Sequence, residues 1–338
     1  MRLISLLAET CSDFEEPPGK PPEVEGVFDR HFYTPLGGKL ATVLSRTRLT
    51  PNHVSWLSVV PAAGAAAAYL LIPTLAGALA ASALFLLSGI LDSADGQLAR
   101  ATKRTSELGE TLDGFCDTLS FGLVYLAAAI IVVREGRSLA VAASVMLLAG
   151  LSHSIQSSLV DFERQLFIHF VTGRGRVLRE QPDLLRIEQG AARARGEGWW
   201  PQALRAMRRS YCGRQRRWLA SSVSLLELHQ QSVEPYPERR QWFAQRYHQR
   251  MGALLKAWTV FAPNSHTMAV LLCGLAPFLA PNLPGAHWGL SLVFAFDLLL
   301  ILALAPLVLI QARKDGALAL EIEGFAAQAA HCSTRFAG

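Results

Sequence analysis

Four carboxylates lie at fixed intervals in the 26 residues from Asp92 to Asp117, in the order Asp92-x2-Asp95-Gly96-x2-Ala99-Arg100-x8-Gly109-x3-Asp113-x3-Asp117. Residues three or four apart share a helix face, so Asp92 pairs with Asp95 and Asp113 pairs with Asp117. A turn between the pairs lets them converge on one pocket. About eight carboxylate oxygens in one place repel one another and need a counter-charge. The hard cations Mg2+ and Mn2+ suit such a donor set and keep positions open for phosphate. Two ions astride a pyrophosphate would stabilise charge on both the attacking and the leaving oxygen. Gly96 and Gly109 remove side chains where backbone must approach a ligand. Arg100 offers a planar fork to phosphate oxygens. Acids that merely cap two membrane helices would not require glycine, alanine and arginine at set offsets.

Long apolar runs flank the motif, so the acids stand where a hydrocarbon stretch meets water, and unpaired charge there is costly. The chain has 338 residues, 51% hydrophobic and 17% charged, with a mean hydropathy of +0.26. These values exclude an ordinary soluble domain and predict an all-α polytopic membrane protein. Six stretches, near 53–72, 74–92, 113–133, 138–160, 252–280 and 287–311, meet the roughly 20 residues needed to cross a bilayer. Trp56, Trp258 and Trp288 fall at span ends, as in interfacial belts. Before the first span, Phe32, Leu36, Leu40 and Val43 recur at helical spacing among basic residues. That pattern predicts an amphipathic helix on an anionic membrane face, and an ordinary core-packing helix is the competing reading. The expected organisation is a flexible lead-in over 1–27, then the juxtamembrane helix and four spans with the motif over 28–160. A basic insert over 161–251, two more spans over 252–311 and a cytoplasmic tail over 312–338 follow. Leu3 to Ala8 is too short for a secretory signal core and acids follow it. Five scattered cysteines without a CxxC pair predict reduced thiols in packing roles.

Basic loops set the orientation. Arg100, Lys103 and Arg104 follow the second span, Arg313 and Lys314 follow the sixth, and residues 157–250 hold 17 arginines against 9 acids. With six spans these lie on one side, which the positive-inside rule makes cytoplasmic, with both termini there. Arg134 and Arg137 dissent. The basic insert, with its Trp199-Trp200 pair, predicts adhesion to anionic lipid rather than nucleic acid, since no nucleic-acid-reading module is present.

The motif resembles the signature of the CDP-alcohol phosphatidyltransferases, integral membrane enzymes of phospholipid synthesis, and all eight fixed positions match. The resemblance extends to Thr50-Pro51-Asn52 and the six-span layout, and it is weak over 1–27, much of the insert and the tail after Gln311. It implies a magnesium- or manganese-dependent transferase in a multi-pass cell (inner) membrane protein, with the active site facing the cytoplasm and ligands for two ions in Asp92, Asp95, Asp113 and Asp117. It implies that Asp117 also acts as base. Gly96, Ala99, Arg100, Ser106 and Gly109 would surround the CDP part of the donor, and Pro51 and Asn52 would approach it. The donor implied is CDP-diacylglycerol and the acceptor a small polar alcohol (inositol or its phosphate, glycerol 3-phosphate or serine), with release of CMP. A CDP-choline- or ethanolamine-type transfer to diacylglycerol remains an alternative on the same motif. Similar enzymes form homodimers.

Outside the motif, His153, Gln156 and His266 are acceptor-side candidates, because ionisable groups in membrane spans are functional by default. Equally, each histidine could simply bond a neighbouring helix. Asp297, deep in the sixth span, has no partner readable from sequence. A metal-ion transporter would spread polar residues along several spans, whereas here they concentrate at one end.

Overall fold

The structure, a computed structural model, describes residues 23–282 and 285–335. Most of the lead-in expected over 1–27 therefore lies outside the described residues. Among the described residues every regular element is helical, and five helices are long and apolar enough to cross a membrane. Helices α1 (Thr34–Leu44), α2 (Pro51–Leu71), α3 (Leu75–Ala101), α4 (Glu107–Arg134) and α5 (Leu139–Thr172) come first. The insert follows as α6 (Pro182–Ala194), α7 (Trp199–Trp218), α8 (Ala220–Ser232) and α9 (Pro237–Trp258), and the chain ends in α10 (Pro263–Leu279) and α11 (Leu292–Arg335).

The helices start where hydroxyl caps sit. Thr50, Thr74, Ser106 and Ser138 each accept a hydrogen bond from a first-turn amide of α2, α3, α4 and α5. Pro51 stands at the first helical position of α2, where its missing N–H is not needed. Helix α3 does not stop at the membrane boundary near Asp92. It runs on to Ala101 and ends with Lys103 at φ 53°, where the Arg104 amide bonds back to the Ala99 carbonyl at 2.9 Å. The turn between the two aspartate pairs is thus confined to residues 102–106. Buried Ala62, Ala65 and Ala66 face Ala78 and Ala81 in one cluster, so small residues let α2 and α3 approach closely.

Two sequence expectations are corrected here. The span expected over 252–280 is broken: α9 ends at Trp258, one tight turn covers Thr259–Phe261, and Ala262 is extended before Pro263. Proline disfavours helical backbone in the residue before it, so the stretch yields only the 17-residue α10, which is not among the five helices long and apolar enough to cross a membrane. The tail expected after 311 is not separate, because α11 continues without a break to Arg335. It bonds back to the insert, with Ser221 and Ser222 donating to Asp315 and Trp258 Nε1 donating to Gln311. One apolar core joins the C-terminal half of α5 to α8, α9 and α11 through Phe167, Phe170, Leu225, Phe243, Tyr247, Leu304 and Leu318. The insert is therefore packed into the body of the protein.

Helix α1 packs on α3 at the level of the motif. Leu40 and Leu44 lie against Ala41, Leu91, Ala94 and Leu98, while Val43 is exposed. Ser93 donates to the Tyr33 carbonyl and Gln97 to the Thr34 carbonyl, and any side chain at Gly37 would strike both. The dissenting bases on the far side have local partners: Arg134 donates to the Leu70 carbonyl at 2.7 Å, and Arg137 lies over the Trp288 ring. Cys116, Cys212 and Cys273 are free thiols.

Gly89 is packed directly on Tyr33, whose ring atoms would lie 2.6 Å from an added Cβ. Gly89→Ala is therefore expected to destabilise the protein by about 1–3 kcal/mol through overpacking. A fall in the detergent-solubilised melting temperature checks this, and an unchanged value would refute the close fit.

Candidate active site

The two aspartate pairs meet because α3 and α4 both pack against α2 and run antiparallel across a short turn. One oxygen each of Asp92, Asp95 and Asp113 lies within 4.8 Å of the other two. Asp95 is buried, and its Oδ2 and Asp113 Oδ1 have no hydrogen-bond partner. Buried oxygens left unpaired among like charges are costly, so the trio fits a hard cation by its donor chemistry. Asp117 is placed differently. One turn deeper than Asp113, it lines a pocket with Asp92, Tyr33, Ser58, Ser88, Ser120 and Thr267. Ser120 Oγ is buried there without a partner.

Of the residues expected around the donor, Asn52, Ser106 and Gly109 are brought together, and Gly96 stands beside Arg100 on α3. The first turns of α2 and α4 lie side by side: a Cβ at Gly109 would sit 3.2 Å from Asn52 Oδ1 and 2.9 Å from Ser106 Oγ. Ser106 is spent as the cap of α4, accepting from the Gly109 amide at 3.0 Å. Two adjacent helix N-termini favour an anionic ligand. Arg100 is exposed on the last turn of α3 and its Nη1 lies 3.6 Å from where a Gly96 Cβ would stand. Gly96 and Ala99 leave that helix face low.

The insert closes over the start of α4. Arg208 pairs with Glu107 at 2.5 Å and Arg176 with Glu110 at 2.9 Å, while Trp56, Phe115 and Trp200 meet edge to face. Burial pushes the Glu180 carboxyl up to about 7, against the lowering pull of Arg176 and Arg208 at 3.9 and 3.8 Å. Several guanidinium nitrogens in this region are buried without partners: Arg164 Nε and Nη2, Arg174 Nη1, Arg176 Nε and Arg214 Nε. The arginine excess is legible in the sequence, but which nitrogens lack a hydrogen-bond partner is not, since the side chains come from α5, α7 and the loop between α5 and α6.

The acceptor-side candidates converge elsewhere. His266 Nδ1 lies 2.5 Å from Asp297 Oδ1, Tyr125 donates to the other Asp297 oxygen, and His153 Nδ1 lies 3.0 Å from the Tyr125 hydroxyl. Ser152 and Gln156 donate to the Asp297 carbonyl at 2.8 and 3.1 Å. The network is buried, and Phe121, whose ring packs 4.4 Å from His153, stands between it and the pocket that holds Asp117. Asp297 thus has the partners that sequence could not supply. Reading by sequence missed Tyr125 altogether, and also the pocket hydroxyls Ser58, Ser88 and Ser120. Serines recurring within apolar spans were the available signal.

Residues 48–164 match the family model described as CDP-alcohol phosphatidyltransferase. The chain is also 40% identical over 103 residues to the archaetidylinositol phosphate synthase of Aeropyrum pernix, a match covering 30% of this chain and 51% of that protein. The chain thus spans about half the length of the curated relative it matches.

Proposed function

We propose that this chain, whose residues 48–164 match the CDP-alcohol phosphatidyltransferase family model, transfers a phosphatidyl group from CDP-diacylglycerol to a phosphorylated polyol, releasing CMP. Inositol phosphate is the acceptor we favour. The observation that carries this choice is the set of buried guanidinium nitrogens without a hydrogen-bond partner on Arg164, Arg174 and Arg214, since arginine binds phosphate through directed, charge-assisted bonds. The name of the relative, an archaetidylinositol phosphate synthase, points the same way.

Asp92, Asp95, Asp113 and Asp117 would hold the divalent cations, with Mg2+ the candidate ion and two the expected number. When bound, the cations would neutralise the donor pyrophosphate and make CMP a better leaving group. The residues of the chain do the rest. Arg100 and the paired N-termini of α2 and α4 hold the nucleotide phosphates, with Asn52 and Gly109 at their junction. The acceptor hydroxyl oxygen attacks the phosphorus that bears the diacylglycerol. A new O–P bond forms, the bond from that phosphorus to the CMP oxygen breaks, and the hydroxyl proton passes to Asp117. Its pocket position beside Asp92 and Ser120 supports Asp117 as the base. The active site would face the cytoplasm of the cell membrane, consistent with the arginines gathered on that side.

Protein purified in detergent with Mg2+ and CDP-diacylglycerol is expected to release CMP when inositol phosphate is supplied, and more slowly with inositol or serine. If no hydroxyl acceptor supports CMP release, the proposal fails. Release with inositol alone would keep the transferase and refute the phosphate assignment.

A further inference from the structure

We propose that His169, His229 and Glu234 form a second metal site, for a borderline-soft divalent ion of the zinc class, that clasps the insert to the end of α5. One ring nitrogen of each histidine and one carboxylate oxygen of Glu234 lie within 4.8 Å of one another. Both imidazoles are buried, each with 5% exposure, and His169 Nε2 and His229 Nδ1 have no hydrogen-bond partner. Two unbonded imidazole nitrogens in an apolar setting are costly, and an ion shared between them satisfies both. The donor set of two imidazoles and one carboxylate differs in kind from the all-carboxylate trio of α3 and α4. Imidazole favours zinc-class ions where carboxylate favours magnesium.

The three ligands come from separate elements: His169 from the last turn of α5, His229 from the last turn of α8, and Glu234 from the loop that follows. The rings are held in place. Gly175 passes directly over the His169 backbone, leaving no room for a side chain, and the His229 ring packs on Phe170 and Phe243. Arg240 is the charged neighbour, and its field opposes a cation, so the site relies on Glu234 for charge. Among the described residues the other histidine group, His153 and His266 with Asp297, has already bonded its carboxylate to His266 and Tyr125. A shared ion is called for less there. Three protein ligands leave a fourth position for water.

The test uses the full-length protein in detergent with excess Mg2+ to occupy the carboxylate trio. Zn2+ is expected to raise the melting temperature of the wild type, since a ligand that binds only the folded state stabilises it. Co2+ is expected to give the intense visible absorption of a four-coordinate ion. His169→Gln and His229→Gln should each weaken Zn2+ binding by roughly tenfold or more, while Asp95→Asn should leave it unchanged. Equal Zn2+ affinity in the wild type and both histidine variants would overturn the proposal. Should the variants fail to fold, the wild type decides: absence of the four-coordinate Co2+ spectrum in excess Mg2+ overturns it equally. These readouts need no turnover, so failure of the transferase assignment would leave them unaffected.

Discussion

Asp117→Asn is expected to lower turnover by about 10²–10⁴-fold, the range for loss of a positioned proton acceptor, while CDP-lipid binding changes little. The reason lies in how the four aspartates divide. Asp92, Asp95 and Asp113 bring oxygens within 4.8 Å of one another, whereas Asp117 stands one turn deeper and lines the pocket beneath them. An amide at 117 keeps the shape and the oxygen acceptor but cannot take a proton. A carboxylate near cations is a weak base, so as base Asp117 would act late, when the attacking oxygen has already lost much of its hold on the proton. The measurement is CMP release under saturating donor, alongside a binding assay with CDP-diacylglycerol. Near-wild-type turnover would remove Asp117 from the base role, and lost donor binding would recast it as a binding group.

Asp113→Asn is expected to act with opposite signs on activity and stability. Asp113 faces both Asp92 and Asp95 across the turn, and its Oδ1 and the Asp95 Oδ2 are buried without partners. Replacing it removes one of three mutually repelling charges. The metal-free protein should therefore become more stable, with a higher melting temperature, as strained functional sites do when relieved. The same change removes a cation ligand, so the Mg2+ concentration giving half-maximal activity should rise by roughly tenfold or more, and turnover should fall. Two measurements check the pair: a metal titration of activity, and a melting curve with and without Mg2+. Unchanged Mg2+ dependence with unchanged stability would mean that the trio is not the cation site.

Much of the site was legible along the chain because helix geometry is local. Spacings of three and four put Asp92 with Asp95, and Asp113 with Asp117, on common faces before anything is known of packing. Thr50-Pro51 announced the start of α2, and Ser106, expected near the nucleotide, is the cap of α4. Span lengths were less secure. Hydropathy carried the fifth span through 252–280, but the Ala262-Pro263 step broke it. The helices of the motif also run past the apolar stretch, because hydrogen bonding continues where hydropathy stops.

Composition and local spacing were enough to determine an all-helical chain with several membrane-length apolar helices and the pairing of its four motif aspartates. Each depends on neighbours within a turn or on sums over a segment. Only the tertiary structure could decide which residues answer one another over distance. Asp297 finds His266 31 positions away and Tyr125 172 positions away. Buried guanidinium nitrogens without a hydrogen-bond partner stand on Arg164 of α5, Arg214 of α7 and Arg174 and Arg176 of a loop, and Asn52 reaches Gly109. Those meetings are set by how helices cross and by which small residues let them close. The aspartate motif is therefore legible along the chain, while the unbonded nitrogens of the buried arginines had to be seen in place.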